Sequence, residues 1–201
     1  MLNTKRQVNN ILSFRNDRFG EFLLNIPALR ALKKNFPGSR LTLAVDPYLK
    51  ELAGAIDCVD EIITWENKKH SFFEVLGFAG RLKPLKIDLA VAFNPSREFN
   101  IASFLAGIPL RLGYNHKLGF LLTHRLADKK YLGERHEVEY NLELAGLAGL
   151  VSEDRNIALY VDSHQAEGVL KAAGLTDADN LVAVHPWTSD PVKQWPLERF
   201  R

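Results

Sequence analysis

Short apolar runs alternate with amphipathic segments from Val8 to Tyr114, and this alternation constrains the fold more than any other feature of the chain. The apolar runs predict strands at residues 8–14, 40–45, 61–65, 86–93 and 110–114. Helical spacing predicts helices at residues 21–36, 48–54, 71–82 and 98–107. Strands that are apolar throughout are typical of a parallel sheet covered on both faces. We therefore expect an α/β fold with a Rossmann-like, doubly wound parallel sheet.

The alternation weakens after Tyr114, where loop-rich sequence leads to a predicted helix at residues 137–147. Two glycines and a polar stretch, residues 146–156, are typical of a linker, so we predict a first domain at residues 1–156. A second unit follows at residues 157–201, with strands expected at 157–161 and 181–185 and a helix at 163–173. Because so short a unit cannot close its own core, we expect the beginning of a truncated second α/β domain.

Composition excludes several classes of protein. With 46% hydrophobic and 25% charged residues the chain is ordinary globular material, and its net charge of +2 is too weak to indicate a nucleic-acid partner. The single cysteine, Cys58, excludes an internal disulfide and a cysteine-based metal cluster. No apolar run approaches the roughly 20 residues of a membrane span, and the basic start lacks the apolar core of a signal peptide. We expect a cytoplasmic protein.

The loop after the first predicted strand, residues 15–21, carries the first candidate site. A strand that feeds a helix through a glycine-containing loop is where α/β proteins place binding groups, because amides and the helix dipole converge there. Glu21 is the candidate catalytic residue, although a carboxylate in a first helical turn often only complements the dipole. Arg15 and Arg18 suit acidic or phosphorylated groups, or lie on a solvated surface. Asp17 is expected to cap the loop or to pair with an arginine.

Within the following helix, Pro27 should produce a kink or a new start, with Asn25 as the helix cap. A second junction lies near the end of the chain, at residues 185–200. Thr188, Ser189 and Lys193 there supply hydroxyls, amides and a cation, which suit a phosphate or pyrophosphate. Lys193 would be an ordinary surface lysine in most sequences. Two such junctions, one in each domain, are expected to face each other across a cleft.

Both junctions resemble those of the heptosyltransferase family, glycosyltransferase family 9. The first has the pattern Arg-x-Asp-Arg-x-Gly-acid followed by Asn-Ile-Pro-Ala-Leu, residues 15–29. The second has His-Pro-x-Thr-Ser and Lys-Gln-Trp-Pro-x-Glu-Arg-Phe, residues 185–200. The stretch Ala-Gly-Ile-Pro-Leu-Arg-Leu-Gly-Tyr, residues 106–114, and His136 before a leucine-rich helix add to the resemblance. It runs end to end, over about the first half of a typical family member.

The resemblance implies a two-domain GT-B enzyme, of which this chain holds the N-terminal half, that transfers a sugar with inversion and without a metal or other cofactor. Its N-terminal domain would hold an acceptor, commonly the inner core of lipopolysaccharide, and its C-terminal domain a nucleotide sugar, usually ADP-heptose. Glu21 occupies the position of the general base, where better-known members carry Asp. The predicted acceptor-binding residues are Arg15, Asp17, Arg18 and Gly20. The predicted donor-binding residues are Thr188, Ser189 and Lys193.

Two other functions are compatible with the sequence. Glu21 in place of Asp, and the bulky Trp187 where the family usually has a small residue, are features that a catalytically silent binding or scaffold protein would show. A glycosyltransferase with a different donor sugar is the other alternative. A lipid-linked glycolipid acceptor would bring the protein to the inner face of the cytoplasmic membrane as a peripheral protein, and basic residues near the N-terminus would assist.

Overall fold

The structure is a computed structural model that describes residues 7–160, 163–176, 181–182, 184–188 and 190–200. It divides into two compact units, Met1–Tyr160 and Val161–Arg201. Each unit is described by itself below.

The first unit is built on one sheet of six strands, all of them parallel to their neighbours. The strands are β1 (Asn10–Phe14), β2 (Arg40–Val45), β3 (Glu61–Thr64), β4 (Leu89–Ala92), β5 (Leu110–Tyr114) and β6 (His124–Leu126). Their order across the sheet is β3-β2-β1-β4-β5-β6, which confirms the predicted doubly wound fold. The chain reverses its direction of travel across the sheet between β1 and β4. In such sheets ligands bind in the crevice outside the carboxyl ends of the strands at this point.

Helices cover both faces of the sheet. They are α1 (Phe19–Leu23), α2 (Ile26–Asn35), α3 (Lys50–Gly54), α4 (Phe72–Leu82), α5 (Arg97–Leu105) and α6 (Glu137–Gly146). One core cluster joins α2, α3 and α6 to the sheet through residues such as Leu29, Leu144 and Leu43. The other joins α4 and α5 to the opposite face, where the Phe14 and Phe99 rings stack at 4.2 Å. Burial on both faces is why the central strands β1 and β4 consist mostly of apolar residues.

The helix after β1 restarts as predicted, because α1 ends at Leu23 and α2 begins at Ile26 with Pro27 in its first turn. Asn25 occupies the predicted cap position, but its side chain makes no capping hydrogen bond. Its backbone is already helical, at φ −88° and ψ −17°, and not extended as a capping side chain requires. The Asn25 side chain is instead fully buried.

One strand of the structure is absent from the predictions, and two predicted strands are absent from the described residues. The sequence does not predict β6, because it has only three residues, none of them buried, and contains no apolar run. No described residue of 157–160 lies in a strand; Arg30 donates hydrogen bonds to the carbonyls of Asn156 and Ala158, and the Tyr160 amide donates to the Ala55 carbonyl. In the second unit, residues 181–182 and 184–185 likewise lie outside strands, whereas the predicted helix is present as α7 (Ser163–Ala172).

Short 3-10 helices, Pro191–Lys193 and Leu197–Phe200, also belong to the second unit. Among the residues that the structure describes, none of the helices has the length and apolar character needed to cross a membrane.

Candidate functional site

The carboxyl ends of β1, β3 and β4 are joined by polar side chains. Asn94, after β4, donates a hydrogen bond to the Asn16 side chain at 3.0 Å. Asn16, after β1, in turn donates to the carbonyl of Trp65, after β3, at 3.3 Å. Because Asn16 is 4% exposed, these bonds form with little competition from water. They fix the loops that surround the crevice between β1 and β4.

Arg15, directly after β1, is 1% exposed, and its side chain reaches the Phe93 carbonyl after β4. Its Nε donates to Asp17 Oδ1 at 2.7 Å, and its Nη2 lies 3.4 Å from Glu21 Oε2. Its Nη1 lies 3.0 Å from Glu137 Oε1 and 3.3 Å from Asn141 Oδ1, both on α6. A buried guanidinium needs such partners, because the cost of removing its charge from water is otherwise not offset. Arg15 thus connects the loop after β1 to α6.

Lys130 adds a second cation to this group. Its Nζ lies 2.6 Å from Glu137 Oε1 and 4.6 Å from the centre of the Tyr114 ring. Burial, together with the positive charge of Arg15, lowers the pKa of Lys130, while its contact with Glu137 acts in the opposite direction. Burial and the Glu137 carboxylate raise the pKa of Tyr114, whose hydroxyl donates to the Tyr140 carbonyl at 3.1 Å. We call Arg15, Lys130, Asp17, Glu21 and Glu137 the charged cluster.

The loop residues predicted from the sequence differ in exposure. The side chains of Asp17 and Glu21 are 26% and 35% exposed, and each touches Arg15 and solvent at once. Asp17 therefore pairs with an arginine, as predicted. Arg18 and Gly20 are exposed, and Arg18 has no ion pair within the described part of the chain. Arg15 is buried and its charge is taken up by carboxylates of the protein, so its contacts support the loop; its role in acceptor binding stays a prediction.

A polar cleft of about 280 Å³ opens at the same edge of the sheet. Residues that follow β1, β3, β4 and β5 line it, among them Asn16, Asp17, Glu66, Lys68, Asn94, Ser96 and Lys117. Of the predicted loop residues, Asp17 lines this cleft, and Arg15 connects Asp17 to Glu21. Amides and carboxylates are suited to the hydroxyl groups of a carbohydrate, and ammonium groups to its phosphates.

The predicted donor residues belong to the second unit. Thr188 is exposed, and its hydroxyl accepts a hydrogen bond from the Asp190 amide at 3.3 Å. The Lys193 ammonium is 74% exposed and lies 4.0 Å from Asp190 Oδ2. Thr188 and Lys193 are thus both open to solvent, on either side of Asp190. Ser189 lies outside the described residues.

Sequence reasoning missed Glu137, Asn141 and Lys130. Glu137 and Arg15 are 122 positions apart, and no local pattern connects them. The one available signal was the acidic first turn of the predicted helix after His136. Among the described residues, no group of three or more His, Cys, Asp or Glu side chains is arranged to hold a metal ion.

Comparisons with known proteins show which fold the chain shares. No family model matches the chain. A candidate glycosyltransferase of Haemophilus influenzae is 29% identical over 138 residues, which cover 68% of this chain and 40% of that protein. The solved structure of a family 9 glycosyl transferase from Veillonella parvula matches 98% of this chain with a TM-score of 0.85 at 22% identity. The chain has the fold of glycosyltransferase family 9.

The E. coli ADP-heptose LPS heptosyltransferase II also has this fold, with a TM-score of 0.78 over 93% of the chain at 21% identity. The resemblance found in the sequence is therefore confirmed at the level of the fold. The chain spans 59% and 57% of the lengths of these two solved structures.

Proposed function

We propose that the protein is a heptosyltransferase-like glycosyltransferase that moves a heptose or a related sugar from a nucleotide donor to a lipopolysaccharide-core-type acceptor. The observation that carries the proposal is the position of Glu21. Its carboxylate is partly exposed at the carboxyl edge of the sheet, beside the crevice between β1 and β4, and is held by a buried arginine. Donor class and acceptor class are inferred from the fold and from the name of the E. coli relative.

In the proposed reaction Glu21 removes the proton from an acceptor hydroxyl as its oxygen attacks the anomeric carbon from the side opposite the diphosphate. The C–O bond to the diphosphate breaks as the new glycosidic bond forms, so the configuration inverts. A base within roughly 2.6–3.2 Å of the hydroxyl is needed for this step. The contact with Arg15 limits the orientations of the Glu21 carboxylate. No metal or cofactor takes part in the proposed step.

We assign the acceptor to the polar cleft, where Asp17 and Lys68 are available, with Arg18 and Gly20 at the exposed loop beside it. We assign the diphosphate of the donor, ADP-heptose in the first instance, to Thr188, Ser189 and Lys193. Cations and hydroxyls there would stabilise the charge that develops on the leaving group. The reaction would take place in the cytoplasm, with peripheral contact to the inner face of the membrane.

Replacement of the base tests the proposal in the longest form of the protein that the gene encodes. We expect Glu21→Gln to abolish sugar transfer, while calorimetry still detects binding of the nucleotide sugar to the variant. Glu21→Asp should retain partial activity, because the charge stays and only the reach changes; misplacement by about 1 Å can cost on the order of a hundredfold in rate. Glu51→Gln is the matched control, since Glu51 is an exposed first-turn carboxylate of α3.

Two results would contradict the proposal. If Glu21→Gln transfers sugar as fast as the wild type, Glu21 is not the base. If the protein binds no nucleotide sugar in a panel that includes ADP-heptose, the fold serves as a binding or scaffold module instead.

A further inference from the structure

The outer face of α4 carries three large apolar side chains in contact with solvent. Phe72, Phe73 and Leu76 are 63%, 81% and 47% exposed, and the two phenylalanine rings meet edge to face at 6.3 Å. We call these three residues the α4 patch. Single exposed apolar residues need no explanation, whereas adjacent ones often mark a surface for interaction.

Folding of α4 does not require the α4 patch. The opposite face of the helix already packs into the core through Val75, Phe78, Ala79 and Leu82. Ser71 and Glu74 form a complete capping box at the start of the helix, with Ser71 accepting from the Glu74 amide and Glu74 accepting from the Ser71 amide. The first turn, which holds both phenylalanines, is therefore fixed without any contribution from their side chains.

Positive charge lies directly beside the α4 patch. Lys68 and Lys69 precede the helix and are exposed; Lys68 pairs with Glu66 at 2.6 Å, and Lys69 has no ion pair within the described residues. Residues 66–76 hold two Lys and two Glu, and the other basic residues up to residue 86 lie in the last turn of α4 or beyond it, so Lys69 is the unpaired cation next to the α4 patch. Aromatic side chains next to lysines suit the interface of a bilayer with anionic headgroups.

The α4 patch also lies on the edge of the sheet that carries the cleft. A helix that connects β3 to the parallel strand β4 must run back from the carboxyl edge to the amino edge, so the first turn of α4 lies at the carboxyl edge. Lys68 is itself one of the residues that line the cleft. A phospholipid headgroup bound at the α4 patch would consequently lie near the cleft.

We propose that the α4 patch is a membrane-docking surface: Phe72, Phe73 and Leu76 enter the interface of an anionic bilayer, and Lys68 and Lys69 lie against its headgroups. The choice of a membrane as partner rests in part on the proposed lipid-linked acceptor. Vesicle binding can nevertheless be measured without activity or acceptor, so the two proposals fail separately.

Co-sedimentation of this chain with phosphatidylglycerol-containing vesicles, at low ionic strength, tests the surface. We expect the double variant Phe72→Ser/Phe73→Ser to bind at least about tenfold more weakly, because two apolar side chains no longer enter the interface. Phe120→Ser is the matched control, since Phe120 is 68% exposed and lies outside α4, in the turn between β5 and β6. Lys69→Gln should weaken binding about fivefold, as expected for one cation near an anionic surface.

Several results would overturn the proposal. The first is that the wild-type chain does not sediment with anionic vesicles, and the second is that it binds vesicles of phosphatidylcholine alone equally well. The third result is that Phe120→Ser weakens binding as much as the double variant does. A change in the oligomeric state of the double variant with unchanged vesicle binding would show that the α4 patch contacts another copy of the protein. Should the double variant fail to fold by circular dichroism, Lys69→Gln decides the outcome, because an exposed lysine outside the core contributes little to folding.

Discussion

Replacing Arg15 by Met tests whether the charged cluster depends on its buried cation. Met has a similar length but no charge, so Asp17, Glu21 and Glu137 lose their shared partner. Removal of one member of a buried ion pair typically costs about 3–5 kcal/mol, because the remaining charge stays without a partner. The location of each carboxylate decides where in this range the variant should fall.

Two of the carboxylates can recover their hydration. Asp17 and Glu21 are 26% and 35% exposed, and small rotations would bring them further into water. Glu137 is only 17% exposed, but it keeps the Lys130 ammonium at 2.6 Å. Asn141 is fully buried, and its Oδ1 loses the hydrogen bond that Arg15 donates at 3.3 Å. We therefore expect a loss of about 3 kcal/mol in the free energy of unfolding, at the lower end of the range.

Urea unfolding followed by far-ultraviolet circular dichroism measures this loss, and Arg40→Met provides the control. Arg40 pairs with Glu61 at 3.1 Å but is 60% exposed, so its replacement should cost no more than about 1 kcal/mol. A cost for Arg15→Met as small as that of Arg40→Met would refute the reasoning, because Arg15 could not then be a desolvated charge.

A double-mutant cycle locates the interaction. Glu137→Gln should be less damaging in the Arg15→Met background than in the wild type, because the carboxylate it removes has already lost one cation. We expect a coupling energy of about 1–3 kcal/mol between the two residues. Additive effects would mean that Arg15 and Glu137 do not interact in solution.

Three further predictions concern packing, capping and a thiol. Gly113→Ala should destabilise the protein by about 1–2 kcal/mol in urea unfolding, because its Cβ would lie 2.9 Å from Leu122 Cδ1, whereas Gly38→Ala, with nothing within 4 Å, should be nearly neutral. Ser71→Ala removes the capping box of α4 and should cost about 1 kcal/mol in the same assay. Burial raises the pKa of the Cys58 thiol to about 11, so iodoacetamide at pH 8 should alkylate native protein much more slowly than unfolded protein; equal rates would contradict that burial.

The sheet could be predicted from the sequence wherever a strand is buried on both faces. β2 and β5 have the bounds that their apolar runs predict, since Pro, Gly or Asp marks the turns on both sides of β2 and the turn before β5. β6 could not be found this way, because none of its residues His124–Leu126 is buried and its place depends on pairing with β5. Tertiary contact, and not local pattern, makes it a strand.

The same distinction holds for the candidate site. Glu21 could be selected from the sequence because its pattern is local: an apolar strand, a glycine-containing loop and a helix start. The contacts of Arg15 could not be predicted, because they depend on α6. Side chains of β1 alternate between the two faces of the sheet, so Arg15 continues the series Ile11, Ser13. Its partner Asn141 on α6 shows that this is the face that α6 covers.

The balance of charge in the cluster singles out one carboxylate. Arg15 and Lys130 supply two positive charges, whereas Asp17, Glu21 and Glu137 supply three negative ones. Glu137 contacts both cations and Asp17 contacts Arg15 at 2.7 Å, so these two carboxylates take the closest contacts. Glu21 has the longest contact, 3.4 Å, and the greatest exposure of the three. The unmatched negative charge is therefore best assigned to Glu21, and a carboxylate that is held in place but not neutralised is what the proposed proton removal would require.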